Sequence, residues 1–393
     1  MTDLPLPDAD ALAHSDRLGA MIRAEIAASG GAVPFSRFME RCLYTPGLGY
    51  YSAGATKFGA AGDFVTAPEL GPLFASTVAQ ALAPVLQELG PQAGFLEIGG
   101  GSGAFAQVLL KRLMALDAMP DRYWILEPSA DLRQRQRQRL GQHLPAPALE
   151  RVQWLDTPPA EPWNGVVFAN EVLDALPTPR FTLREGQVFE EHVALDGQGR
   201  FVATDRPADP LLTAAVRHVE RSRQVPFEDG YRSELLAQLP YWVQAVIGRL
   251  QAGALLFCDY GYPRREYYLD QRDGGTTRAF YRHRMHHDVY RWPGLQDITA
   301  SVDFTALAEA GTGAGFDLAG YATQAGFLLG NGLADRLPEA ETGADAAAVL
   351  RLRNEFKQLT LPSQMGERFQ FMGFARGCRF EAAFVSGDLT WRL

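Results

Sequence analysis

The sequence predicts a doubly wound, mostly parallel α/β sheet of the Rossmann-like kind, on three observations. Short apolar runs alternate with helical stretches through the middle of the chain. One of these runs, Phe95–Ile98, leads directly into Gly99-Gly100-Gly101-Ser102-Gly103 and then into a helical stretch. A second run ends in Glu127, thirty residues after Glu97. Strands separated by helices in this way build a parallel sheet with helices on both faces. A strand, a glycine turn and a helix form the nucleotide-binding corner of such a sheet.

The elements follow in chain order. Residues 1–90 read as an N-terminal helical region, with helical periodicity over 15–29 and 69–90. Between these, the Gly-, Tyr- and Phe-rich stretch Tyr44–Pro68 reads as loops or a small hairpin. Residues 91–179 carry the first part of the core. Its strands are expected near 95–98, 123–127, 151–154 and 165–169, with helices at 104–118 and 129–140. The gap that follows is too long for one crossover helix, so 180–250 reads as an inserted α+β element. It holds paired strands over 180–204 around the turn Asp196-Gly197-Gln198-Gly199, and a helical stretch over 232–250. Ala254–Cys258 is a further buried strand, within 251–260. A second insert, 261–305, has little periodicity, and loops of that length are usually functional or disordered. Residues 306–393 supply the C-terminal part of the core, with closing strands expected at 316–322 and 379–386. Arg133, Arg135, Arg137 and Arg139 scatter around their helix and read as a solvated surface.

Composition narrows the class. With 393 residues the chain can bury a large core, and 47% hydrophobic with 21% charged residues is the balance of a globular protein. The net charge of −9, from 37 basic against 46 acidic residues, argues against a nucleic-acid partner. No apolar run reaches the length of a membrane span. Three widely spaced cysteines suggest a reducing compartment, and the acidic, proline-containing start is unlike a targeting peptide. Cytoplasm is the expected location. Oligomeric state is not legible. No G-x-S-x-G elbow or Walker motif is present, so hydrolase and NTPase chemistry has no support.

The turn chemistry favours one cofactor. Glu97, Gly99, Gly101 and Gly103 form E-x-G-x-G-x-G. A dinucleotide fingerprint would place its third glycine where this chain has Ala104, a position that tolerates alanine. The glycines alone therefore leave NAD and an oxidoreductase open. Glu97 argues against it, because a carboxylate beside a pyrophosphate is repelled. The same carboxylate suits S-adenosylmethionine, which has no phosphate and carries a sulfonium and an ammonium. Glu127, at the end of the second strand, is placed to accept from ribose hydroxyls, or is an ordinary capping or solvated acid. Asp156, after the third strand and Trp154, is a candidate acceptor for the adenine amino group, or a solvated acid. Asp63 and Thr66 lie in a segment that reads as a loop over the cofactor. Thr66-Ala67-Pro68-Glu69 also fits a capping box.

Several segments together resemble the MidA family of class I S-adenosylmethionine-dependent methyltransferases, which includes a mitochondrial complex I assembly factor. They are Phe38-Met39-Glu40 with Tyr44 and Pro46; Gly49-Tyr50-Tyr51; Gly62–Glu69; the glycine turn; Asn170-Glu171-Val172-Leu173-Asp174-Ala175-Leu176-Pro177; Asp259-Tyr260-Gly261; and Gln296–Thr299 with Val302-Asp303-Phe304. The resemblance implies a class I methyltransferase fold and S-adenosyl-L-methionine as cofactor. For the mitochondrial relatives it implies a protein arginine as acceptor, so a protein substrate is expected, a respiratory-complex subunit being one such acceptor.

The residues are compatible with that chemistry. Val166-Val167-Phe168-Ala169 delivers Asn170, Glu171 and Asp174 to the carboxyl edge of the sheet, where ligands bind. A guanidinium is planar, cationic and rich in donors, so paired carboxylates hold it best. Glu171 and Asp174 are the candidates, with Glu171 also a proton acceptor; bracing the glycine loop and capping a turn are their alternative roles. Asp259, Asp297 and Asp303 either line the acceptor site or make structural hydrogen bonds. His283, His286 and His287 lack the separated second ligand pair of common zinc sites, and no metal is expected. A non-catalytic assembly protein that retains the cofactor fold is the alternative from another class.

Overall fold

The computed structural model describes residues 4–52 and 66–393. They form two compact units, each assembled from separate stretches of chain. One comprises 66–172, 240–261 and 304–393; the other comprises 4–52, 173–239 and 262–303.

The first unit is built on the predicted sheet. Its strands are β1 (Gly94–Ile98), β2 (Arg122–Leu126), β3 (Val152–Leu155), β4 (Trp163–Asn170), β5 (Leu250–Tyr262), β6 (Asp317–Thr323) and β7 (Phe369–Arg376). They lie in the order β3-β2-β1-β4-β5-β7-β6. Strands β1 to β5 pair in parallel, whereas β7 runs antiparallel to both β5 and β6. The strand order reverses between β1 and β4. In an open α/β sheet this is where ligands bind, beyond the carboxyl ends of the strands.

The parallel strands read as apolar runs because helices cover both their faces. Helix α1 (Leu73–Leu89) and helix α2 (Ala104–Ala115) contribute Phe74 and Phe105 to one core. The Phe105 ring stacks on Phe168 of β4 with centroids 4.3 Å apart. Helix α3 (Ala130–His143) begins at Ser129, whose hydroxyl accepts from the Leu132 amide. Such a cap satisfies one of the donors that a helix leaves open at its start.

Four core strands lie within a few residues of their expected positions, and β5 and β6 fall over the expected 254–258 and 316–322. The strand expected at 379–386 is a correction: the closing strand is β7, and Glu381–Phe384 is a 3₁₀ turn. Its aromatics are apolar for a different reason. Phe380 and Phe384 lie against glycines of the sheet, where a Cβ on Gly320 would come 2.2 Å from Phe384 and one on Gly373 would come 2.4 Å from it.

The second unit is largely antiparallel. Arg180–Arg184, Gln187–Leu195 and Phe201–Pro207 pair in succession, flanked by Ala32–Pro34 and Arg232–Glu234. The expected turn at Asp196 closes the second pair, its carboxylate accepting from the amides of Gln198 and Arg200. Helices Ala9–Ala28 and Phe35–Tyr44 pack around Leu18, Ile22, Phe38 and Met39. The helix expected over 232–250 is shorter, Leu239–Ile247, and from Pro240 onward it belongs to the first unit. Its first part is instead the strand Arg232–Glu234, in which the Glu234 side chain is buried and takes hydrogen bonds from Tyr267, Thr276 and Thr277.

Helix α1 starts without a side-chain cap from its own flank. The cap comes from Glu355, on helix α4 (Ala346–Thr360), which accepts from the amide of Leu73 at 2.7 Å and from that of Phe74 at 3.4 Å. The carboxylate comes so close that a Cβ on Gly71 would lie 2.1 Å from it. Burial is the largest influence on Glu355 and raises its pKa to about 7, against the two amide donors. Removing the carboxylate leaves buried amides unsatisfied, which costs about 1–3 kcal/mol. Glu355→Ala is therefore expected to lower unfolding stability by about that amount, with Glu355→Gln milder because its oxygen still accepts. Urea unfolding checks this; an unchanged midpoint for Glu355→Ala would remove the capping role.

Candidate cofactor site

The site grows from the turn between β1 and α2. Gly99, Gly101 and Gly103 adopt φ values of 68°, 51° and 82°. A side chain is strained in that region of φ, so the glycines are a backbone requirement. Their surroundings differ. A Cβ on Gly99 would meet Val172 at 3.0 Å, and one on Gly100 would meet Ile125 at 2.8 Å and the Gln136 amide at 3.0 Å. A Cβ on Gly101 would meet nothing within 4 Å. The turn is thus seated on side chains below and presents bare backbone to open space at Gly101.

Glu97 lies beneath the turn and is buried, its carboxylate accepting from the Tyr123 hydroxyl at 2.8 Å. The Tyr123 ring stacks on Phe95, which fixes the hydroxyl. Desolvation raises the Glu97 pKa to about 7; the Tyr123 hydrogen bond opposes this and the charge of Glu127 adds to it. Glu127, just past the end of β2, is also buried and also raised to about 7 by desolvation. Its donors are the Ser129 amide at 3.0 Å and the Gln136 amide at 3.3 Å, with the Gly101 backbone and the Arg133 charge also lowering its pKa. A buried carboxylate at this place can accept from a diol.

Helix α3 is not the solvated surface expected from its arginines. Leu132, Gln136 and Leu140 form its buried stripe, at intervals of four residues. Arg133 bonds the carbonyls of Glu127 and Leu155, so it joins the carboxyl ends of β2 and β3. Arg137 lies over the Trp154 ring at 4.8 Å. Arg139 reaches the Ser102 hydroxyl at 2.7 Å. The polar face is in this way anchored to strand ends and to the glycine turn. Gln136 was missed by sequence reasoning, although a glutamine between two leucines at helical spacing was a signal for it.

The remaining predicted residues fall as follows. Asp156 is exposed and pairs with Arg133 at 2.6 Å. Asp63 lies outside the described residues. Thr66 precedes the helix Ala67–Leu70 without a side-chain capping bond, so the expected capping box is absent. Glu69 points elsewhere, to the Ser102 hydroxyl, with Arg139 3.8 Å away. A hydroxyl and a guanidinium together offer this carboxylate a better partner than one backbone amide.

At the end of β4, Asn170 donates from Nδ2 to Glu171 at 3.1 Å. The Asn170 Oδ1 is buried and has no hydrogen-bond partner among the described residues. Glu171 has φ 53°, an uncommon value for a glutamate, and its amide donates to the Cys258 carbonyl on β5 at 2.8 Å. Sites that hold a residue in this way are often functional. Asp174 belongs to the antiparallel unit, where it is buried and its carbonyl accepts from the Ala300 amide. Tyr51 of that unit donates to Asp297 at 2.9 Å. Its pKa is raised first by burial and then by Asp297 and Asp174, so these acids lie near one another. Asp259 accepts from the Tyr260 amide and Asp303 pairs with Arg264. Among the described residues no group of three or more His, Cys, Asp or Glu is placed to hold a metal ion, and no helix is long and apolar enough to cross a membrane.

Comparison with known proteins agrees with this geometry. A family model for S-adenosyl-L-methionine-dependent methyltransferases matches residues 77–322. The chain is 28% identical over 382 residues to the mitochondrial protein arginine methyltransferase NDUFAF7 of Danio rerio, covering 89% of this chain and 85% of that one. It is 30% identical over 413 residues to the mitochondrial NDUFAF7 homolog of Drosophila melanogaster, covering 94% and 88%. Among solved structures, a Burkholderia thailandensis protein bound to S-adenosyl-homocysteine matches over 100% of both chains, with a TM-score of 0.91 and 45% identity. The mitochondrial names of the curated relatives overturn the expectation of a cytoplasmic location. S-adenosyl-L-methionine is the cofactor. The open space over Gly101 and the orphaned oxygen of Asn170 fit such a group. The chain belongs to the family of S-adenosyl-L-methionine-dependent methyltransferases.

Proposed function

We propose that the protein transfers a methyl group to a guanidinium nitrogen of a protein arginine. The observation that carries this reading is Glu171: a carboxylate in a left-handed backbone conformation, at the carboxyl edge of β4, oriented by the Asn170 amide. The names of the relatives, protein arginine methyltransferases, support the acceptor class.

The bound cofactor supplies an electrophilic methyl carbon on its sulfonium. The work of the chain is binding, alignment and proton management. The Gly99–Gly103 backbone accepts the cofactor closely, Glu127 accepts from the ribose hydroxyls, and Glu97 adds negative charge beneath the turn. Asn170 offers its buried Oδ1 to a donor of the cofactor or acceptor. Glu171 accepts from the guanidinium N–H groups through charge-assisted hydrogen bonds and sets the attacking nitrogen in line with the methyl carbon. As the nitrogen–carbon bond forms and the sulfur–carbon bond breaks, a proton leaves the nitrogen for the Glu171 carboxylate. Alignment of this kind lowers a barrier by ~7–11 kcal/mol, and positioned proton transfer adds roughly 10²–10⁴-fold in rate.

Three outcomes test the proposal. Gly101→Val fills the open space over the turn and strains its backbone, so calorimetry should detect no binding of S-adenosyl-homocysteine; wild-type affinity in this variant would remove the turn from the site. Glu171→Gln keeps size and one acceptor oxygen but loses the charge and cannot take a proton. It should bind S-adenosyl-homocysteine within a few-fold of wild type and lose about 10²–10⁴-fold in transfer. The assay supplies labelled cofactor to an extract lacking the protein and maps the modified residue by mass spectrometry; label on a residue other than arginine, or undiminished by the substitution, would sink the reading. The third outcome concerns pH. Glu97 and Glu127 keep protons up to about pH 7 in the free protein. The cationic cofactor and its donating hydroxyls favour the ionised carboxylates. Affinity should therefore rise with pH up to about 7 and then level, with protons released on binding below that value. Titration in buffers of different ionisation heat measures the release, and none at pH 6 would contradict it.

A further inference from the structure

Gln136 occupies the middle of the Leu132–Gln136–Leu140 stripe and is 0% exposed. A third leucine would serve burial alone. The carboxamide instead makes three hydrogen bonds to three separate parts of the cofactor site. Nε2 donates to the Gly101 carbonyl at 2.9 Å and to Glu127 Oε2 at 3.3 Å, and Oε1 accepts from the Trp154 indole N–H at 2.8 Å. Both amide hydrogens and the amide oxygen are used. The reverse orientation would set the oxygen against a carbonyl and a carboxylate, and the NH₂ against an indole donor. The amide has one workable orientation.

Two neighbours tighten the arrangement. The turn rests directly on this amide, since a Cβ on Gly100 would lie 3.0 Å from Nε2. Arg137, the next residue of α3, covers the Trp154 ring from its face while Gln136 holds its edge.

We propose that Gln136 is the positioning residue of the cofactor site: one buried carboxamide locks the glycine turn, Glu127 and the Trp154 indole into a single arrangement that accepts the nucleoside. The inference rests on the cofactor and not on the identity of the methyl acceptor. Gln136 touches the groups that hold the cofactor and acts through them.

The test is Gln136→Leu, with S-adenosyl-homocysteine binding followed by calorimetry from pH 6 to 9. Loss of the three hydrogen bonds, one of them to a carboxylate, should raise Kd by roughly tenfold or more. A second readout separates positioning from mere support of the fold. Glu127 loses a donor that stabilises its ionised form, so the pH at which affinity levels should move upward. Arg133 and Glu97, the other charged groups that influence or face Glu127, are the same in both proteins. A wild-type Kd, or weaker binding with the pH profile unmoved, overturns the proposal. Should the leucine variant not fold, Gln136→Glu keeps the size and sets a third carboxyl against Glu127 and the Gly101 carbonyl. It should bind at least tenfold more weakly at pH 8, and wild-type affinity there overturns the proposal equally. Failure of the arginine reading would show instead in Glu171→Gln, which leaves these binding values in place.

Discussion

Two carboxylates, Glu97 and Glu127, are buried at the carboxyl edge of a parallel sheet, and the elements around them are arranged to make that burial tolerable. Removing a carboxylate from water is expensive unless donors replace the water. Tyr123 supplies one donor to Glu97, while Ser129, Gln136 and the Gly101 backbone supply those of Glu127. The compensation is partial, since both groups stay raised to about pKa 7. Buried acids raised in this way mark a candidate functional site.

The glycine turn depends on the same arrangement. Its backbone rests on α3 at Gly100 and faces open space at Gly101, so side chains are excluded at the two positions for different reasons. At Gly100 the obstacle is protein, and at Gly101 it is the left-handed φ of 51°. Helix α3 links these demands, because its buried stripe supports the turn while Arg133 binds the strand ends and Arg139 the Ser102 hydroxyl of the turn. A helix with almost no apolar face is stable here because its polar atoms find fixed partners in the fold.

Legibility followed the range of the interactions. β1, β2 and β4 were readable because each is a contiguous apolar run bounded by a turn, and the glycine turn because its spacing is local. The closing strand was misplaced onto 379–386 because Phe380 and Phe384 are apolar for packing against Gly320 and Gly373, not for pairing. Glu69 matched a capping box by spacing, yet Ser102, thirty-three residues away, takes its carboxylate. Glu355 caps a helix 282 residues distant, a relation no local pattern carries. The candidate residues divide in the same way. Glu97, Gly99, Gly101, Gly103 and Glu127 converge on one corner, whereas Asp156 faces solvent with Arg133 and Thr66 makes no side-chain cap.

By itself the sequence determined the alternation of strand and helix, the position of the turn and the acids that end β1, β2 and β4, because these depend on periodicity and on residue types a few positions apart. Tertiary structure alone decided which side chains support that turn. Strand order brought β1 beside β4, the pairing of β2 and β3 carried Trp154 toward Glu127, and the docking of α3 put the Gln136 amide between them. Hydrogen bonds between groups distant in the chain form only once the backbone has fixed their separation, so a glutamine inside an arginine-rich helix had no meaning until the fold gave it three partners.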